Sequence, residues 1–168
     1  MITLKIKTLE KKIGKIQKYI TVLGIDTASR IGWALIKTGQ TDLTIDYGIL
    51  DIKSSSVYYK YDKIIEFFSN IITSDMKLII EDTFYKLNPR MFRTISRMGM
   101  IPYVIGKLNN CQKKFITASQ ARKNLGISGN TTKEVVMYHL RKYFGIKIKE
   151  HNIADAIVLG LNGILKGE

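Results

Sequence analysis

Residues 20–29, ITVLGIDTAS, decide how the rest of the chain is read. The run from Ile20 to Ile25 is apolar or β-favouring and stops at Asp26, with small polar residues directly behind it. That is the pattern of a buried strand ending in an acidic side chain at the edge of a sheet. A carboxylate there costs desolvation free energy unless something positive meets it. Two kinds of partner qualify: a basic side chain, or a metal ion held jointly with other acids.

Outward from this strand, residues 31–37 (IGWALIK) and 43–50 (LTIDYGIL) read as two more strands, with a tight turn at Thr38, Gly39 and Gln40. Three strands with short connections predict an antiparallel meander. Ser54 to Ser56 offer an N-cap to a helix running to about Ile72. Lys77–Glu81 (KLIIE) is a short apolar strand that again ends in a carboxylate, and Asp82 should face away from Glu81. Pro89 suits the first turn of a long helix reaching Asn109. Pro102 inside that helix predicts a kink or break near Met100. Lys114–Thr117 reads as a fifth strand, and the glycine-punctuated stretch 118–130 as a short helical turn and loop. Thr131 or Thr132 opens a helix to Phe144, and a last helix covers 151–165. The order βββ-α-β-α-β-α-α predicts an α/β fold, one mixed five-stranded sheet with helices on its faces.

Residues 1–19 form a basic N-terminal extension to a domain spanning 20–168. Ile6, Leu9, Ile13 and Ile16 stand at near-helical spacing among lysines, while alternation in Ile2–Lys7 permits a strand. DNA contact, dimerisation and packing on the domain are the roles open to it, with packing the first expectation.

Composition narrows the function. A chain of 168 residues suggests one domain with a sizeable core. Mean hydropathy of -0.01 and the lack of an apolar run of roughly 18 residues argue against a membrane span. The Lys-rich start lacks the apolar core and cleavage site of a secretory signal, so a cytoplasmic setting is expected. A single cysteine, Cys111, excludes an internal disulfide framework and a Cys-based zinc site. Lys and Arg total 27 against 14 Asp and Glu, a net charge of +13, which favours a polyanionic partner.

Three carboxylates occupy comparable places. Asp26 ends the first strand of the meander, Glu81 ends the KLIIE strand, and Asp155 lies near the start of the last helix. If the two strands are sheet neighbours, the first two acids converge at one edge, where the helix can bring the third. Carboxylates that close repel, and the usual remedy is a hard divalent cation with oxygen ligands. An acidic pocket in a lysine-rich surface suits a phosphodiester, with two ions acting on the phosphate.

The segments GIDTASRIGWALI, LIIEDTF and HNIADAIVLGL, in this order, closely resemble the RuvC-type Holliday-junction resolvases of the RNase H-like superfamily. The resemblance covers Ile20 to Leu165. It implies an RNase H-like sheet with helices on both faces, and a homodimer using magnesium, with manganese as a substitute, to nick symmetric strands of a four-way DNA junction. By the same resemblance Asp26, Glu81 and Asp155 are metal ligands. Phe84 matches an aromatic wedge for the unpaired junction centre, a task that suits a flat ring because every base has a π-face. Lys133 matches a basic residue that contacts phosphate, Arg122 and Lys123 stand where the family carries further basic residues, and the helix with Arg90, Arg93 and Arg97 is equivalent to one that helps join the subunits. Its arginines can line a DNA surface and its methionines an adaptable apolar face.

One position departs. Where the family has an acid or histidine three residues before the last carboxylate, this chain has Asn152. Its carbonyl oxygen can still ligate a hard cation, but it brings no charge and no general base. Either the site works with a neutral ligand, or Asn152 is an inactivating substitution; His151 is about 100° away around the helix. Forks and three-way branches are further candidate substrates, and the small basic chain would suit a bacteriophage enzyme. Two alternatives stand beside this reading: a ribonuclease H-type enzyme on RNA–DNA hybrids, against which Phe84 speaks, and a non-catalytic branched-DNA binding protein, which Asn152 supports.

Overall fold

β2 (Thr21–Asp26), the strand that ends at the decisive carboxylate, lies inside a mixed sheet of six strands ordered β1-β4-β3-β2-β5-β6. The structure is a computed structural model that describes residues 1–82 and 88–166. β3 (Ile31–Thr38) and β4 (Asp42–Leu50) complete the antiparallel meander, and β5 (Met76–Glu81) and β6 (Gln112–Ile116) run parallel to β2 on its other side.

The sheet has one strand more than the five expected. β1 (Ile2–Lys5) pairs antiparallel with β4, from Ile2 opposite Ile45 to Lys5 opposite Asp42, and α1 (Ile6–Ile13) follows at once. The two readings of this segment are therefore both realised, one after the other. The alternating stretch forms the edge strand, and Lys5 reaches the Asp42 carboxylate at 2.8 Å. The helical spacing then turns Ile6 and Leu9 into the core, and Ile16 follows them. Packing was the first expectation for this segment, and it packs.

Two apolar layers flank the sheet. α6 (His151–Ile164) crosses one face with α1, α4 (Ala118–Asn124) and α5 (Lys133–Phe144) around it; α2 (Val57–Ile71) and α3 (Pro89–Leu108) cover the other. Strand alternation divides β2 between the layers, Val22 going to the α6 side and Leu23 and Ile25 to the other. Gly24 shares the α6 side, where a Cβ would stand 2.2 Å from the Ala156 carbonyl oxygen and 2.4 Å from the Gly160 nitrogen. Only a glycine lets the helix backbone come that close.

α2 starts where its cap predicts, with the Ser56 hydroxyl accepting from the Tyr59 amide. α3 does not break at Pro102. Its helix continues to Leu108, with Met98, Pro102 and Ile105 buried in the second layer, so burial of this face offsets the missing amide.

Candidate active site

β2 and β5 pair in parallel from Thr21 opposite Met76 to Ile25 opposite Ile80. Asp26 and Glu81 are the next residue on each strand, so they leave the ladder side by side on the α6 face. Asp155, in the second turn of α6, meets them there, and all three line one cleft of about 1000 Å³. The convergence expected from the strand ends is thus present, since the first and fourth sequence strands are neighbours.

Asp26 is only 4% exposed and its Oδ2 has no hydrogen-bond partner among the described residues. Its carboxyl is held well above the ordinary carboxylate range. Burial is the main cause, followed by a hydrogen bond shared with the Glu81 carboxyl and by the negative charges of Glu81 and Asp155; Lys133 pulls weakly the other way. An orphaned oxygen in a crowd of acids is what a hard cation relieves, and the all-oxygen donor set suits a divalent one. Asp26 and Glu81 would hold it together.

Asp155 is differently placed. Arg122 Nη2 donates to its Oδ1 at 2.9 Å, and both side chains are buried. Arg122 also donates from Nη1 to the Thr131 carbonyl at 3.3 Å, while its Nε finds no partner among the described residues. α4 supplies Arg122 because the Thr117 hydroxyl caps it, accepting from the Gln120 amide at 3.2 Å. With Asp155 turned to this cation, no group of three His, Cys, Asp or Glu side chains among the described residues is set to hold one ion.

The remaining candidates divide clearly. Lys133 opens α5 and lines the cleft; Lys123 is exposed outside the lining, and Arg90 and Arg93 are exposed on α3. Met91, Phe92 and Ile95 of α3 give the cleft an apolar side, whereas Met98 covers the sheet. Asn152 stands outside the cleft lining, with its amide donating to the Arg30 carbonyl. Gly32 lets α6 approach there, since a Cβ would lie 2.1 Å from the Asn152 carbonyl oxygen. His151 Nε2 is 3.9 Å from the Glu134 carboxylate. Phe84 lies outside the described residues.

Asp82 departs from its expected orientation. β5 ends at Glu81, so strand alternation no longer governs the next side chain; the Asp82 amide donates to the Ile116 carbonyl at 2.9 Å and the residue lines the cleft. Thr27 and Ser119 line it as well and were missed, because isolated hydroxyl residues in loops or short helices carry no sequence pattern.

A buried and a half-buried acid at the ends of adjacent parallel strands, with a lysine and an arginine at the same cleft, define the class: an α/β nuclease fold of the RNase H-like kind. The family model for the crossover junction endodeoxyribonuclease RuvC matches residues 22–162, and the chain belongs to the RuvC family. The crossover junction endodeoxyribonuclease RuvC of Sulfurovum sp. (strain NBC37-1) is 26% identical over 149 residues, covering 84% of this chain and 93% of that protein. Among solved structures, Thermus thermophilus RuvC superposes with a TM-score of 0.70 at 14% identity, covering 84% of this chain and 92% of the other. The T. thermophilus RuvC complex with a Holliday junction substrate gives a TM-score of 0.61 at 14% identity, over 84% and 91% of the two chains. No helix among the described residues is long and apolar enough to cross a membrane.

Proposed function

We propose that this chain is a divalent-metal-dependent endonuclease that resolves Holliday junctions by hydrolysing one phosphodiester in each of two opposed strands. Membership of the RuvC family favours branched DNA over an RNA–DNA hybrid. The observation that carries the reading is the side-by-side exit of Asp26 and Glu81 from parallel strands into a cleft that also holds Asp155 and Lys133.

Asp26 and Glu81 would hold the metal, magnesium by preference and manganese as a substitute. Asp155 would complete the set with its carboxylate released from Arg122. Bound cations would supply charge neutralisation at the phosphate and an acidified water as nucleophile. Lys133 and the freed Arg122 guanidinium take phosphate oxygens, the latter with a fork that matches them. Asn152, outside the cleft lining, ties the first turn of α6 to the strand corner through the Arg30 carbonyl, and would offer the cation a neutral oxygen only by turning inward. Lys123, Arg90 and Arg93 contact the DNA backbone, and Phe84 stacks at the open branch. A two-fold dimer presents two such clefts to two strands. Forks and three-way branches are secondary substrates, and the setting is the cytoplasm.

The test is cleavage of an end-labelled synthetic four-way junction, beside a linear duplex and an RNA–DNA hybrid, with magnesium or with chelator. Paired nicks near the branch that need the cation and vanish in Asp26→Asn support the reading. Equal cutting by wild type and Asp26→Asn, or none by wild type with either cation, overturns it.

A further inference from the structure

We propose that α1 and the C-terminal half of α5 together form a second contact surface for DNA, seating the sugar–phosphate backbone of a duplex arm outside the catalytic cleft. This rests on the reading of the chain as a junction endonuclease, and the α1 half of the surface lies before the residues matched by the family model.

Residues 1–19 carry six lysines and one acid, Glu10. Glu10 is committed inward, its carboxylate accepting from the Ile16 amide at 3.1 Å, and Lys5 is paired with Asp42. Lys7, Lys11, Lys12, Lys15 and Lys18 are exposed, and among the described residues none of them makes an ion pair. Their charge is therefore presented to solvent in a cluster.

The cluster continues onto α5. Lys12 Nζ donates to the Tyr143 carbonyl and lies 5.9 Å from the centre of its ring; Lys142 Nζ lies 5.3 Å from the same ring and 5.5 Å from that of Tyr138. Tyr138 and Tyr143 are 57% and 39% exposed. Ring faces hold these ammonium groups in place without neutralising them, as a carboxylate would. Cations interleaved with exposed aromatic rings suit a polyanion with flat bases.

The surface is also fixed relative to the cleft. Ile16 bridges to Leu165 at the end of α6, and the Gln17 amide donates to the Ile164 carbonyl at 2.8 Å. α5 carries Lys133 in the cleft and Lys142 nine residues further on, about 13 Å along the helix axis. That is the length of a few base pairs of an arm running out from the branch. An anionic bilayer is the weaker fit, because the apolar face of this segment is used up in the core: Ile6, Leu9 and Ile16 are buried.

The experiment compares wild type with the triple variant Lys11→Gln, Lys12→Gln, Lys142→Gln. A control has the same charge removed elsewhere, Lys37→Gln, Lys53→Gln, Lys107→Gln. Binding to a long-armed junction is measured by fluorescence anisotropy in chelator across salt concentrations, and cleavage at saturating DNA in magnesium. The triple variant should bind about tenfold or more weakly, with the slope of log affinity against log salt reduced by about 2–3. Its cleavage rate at saturation should stay unchanged. Lys142→Glu alone should weaken binding too, so a folding defect in the triple variant does not decide the outcome. Wild-type affinity and slope in both variants, or an equal loss in the control, overturns the surface. So does loss of binding to phosphatidylserine vesicles with DNA binding intact. Failure of the wild type to cut the junction instead overturns the enzymatic reading, and is seen in the same series.

Discussion

Arg122 on α4 donates to Asp155 on α6 at 2.9 Å, with side-chain exposures of 11% and 9%. The protein therefore brings its own counter-charge to one of its three site acids, while Asp26 Oδ2 has no hydrogen-bond partner among the described residues. The acids are not equivalent ligands awaiting a cation. On the proposed reading, Asp155 would exchange an internal partner for it.

Removing the guanidinium leaves Asp155 buried and unpaired, a change that costs about 3–5 kcal/mol. Arg122→Gln should lower the midpoint of urea unfolding in chelator accordingly. Added magnesium should restore part of the loss, because the cation takes over the vacated role. A midpoint equal to wild type in chelator would show that the ion pair contributes nothing to the fold.

Asp26 makes stability depend on pH in an unusual direction for an acid. Its folded-state carboxyl titrates well above the ordinary 3.8, mainly through burial. Between that ordinary value and the raised one, the folded chain keeps a proton that the unfolded chain has lost. Stability is consequently present at low pH and drains away as pH climbs through this window. Asp26→Asn removes the dependence. In chelator it should melt higher than wild type at neutral pH, with the gap closing as the pH falls toward 3.8. A wild type as stable as the variant throughout would refute the assignment of Asp26 as a strained acid.

Lys133 is the positive group that pulls the Asp26 carboxyl downward. Lys133→Ala should raise that carboxyl further and move the acid limb of the pH–rate profile for junction cleavage to higher pH. The rate at the plateau should also fall, by about 10²-fold if the lysine holds the phosphate charge in the transition state. A plateau loss without movement of the limb would leave Lys133 as a phosphate contact with no influence on Asp26.

Gly24 sets how closely α6 lies on β2. In Gly24→Ala the new methyl would face backbone atoms at 2.2 and 2.4 Å, which cannot rotate away. The helix would have to lift, separating Asp155 from Asp26. A loss of about 3 kcal/mol or more is expected in thermal or denaturant unfolding, and junction cleavage should fall with it.

The acids were legible because each carries a strong local signal: a β-favouring run that stops at a carboxylate, twice, and a helical face with an acid in it. The pairing of β2 with β5 entered only as a condition for two of the acids to converge, and the sheet meets it. Other features were not legible for physical reasons. Whether Ile2–Lys7 forms a strand or a helix depends on an open edge of β4, which only the assembled sheet supplies. Pro102 argued against a continuous α3, and burial of its face overrode that local cost. The engagement of Arg122 with Asp155 joins residues 33 positions apart in the sequence, through a short helix whose place depends on the whole layer.

The parallel ladder between β2 and β5 also sets which changes in chain length the protein tolerates. Asp26 and Glu81 each follow the last pair of the β2–β5 ladder, Ile25 opposite Ile80, so their separation is gauged by backbone pairing. Deleting one residue between Thr21 and Ile25 would swing the acid through the sheet to the side of α2 and α3. The hairpin at 39–41 joins β3 to β4 at the opposite end of the sheet and can lengthen without moving either acid. Insertions and deletions are thus admissible at one pole of the sheet and forbidden at the other.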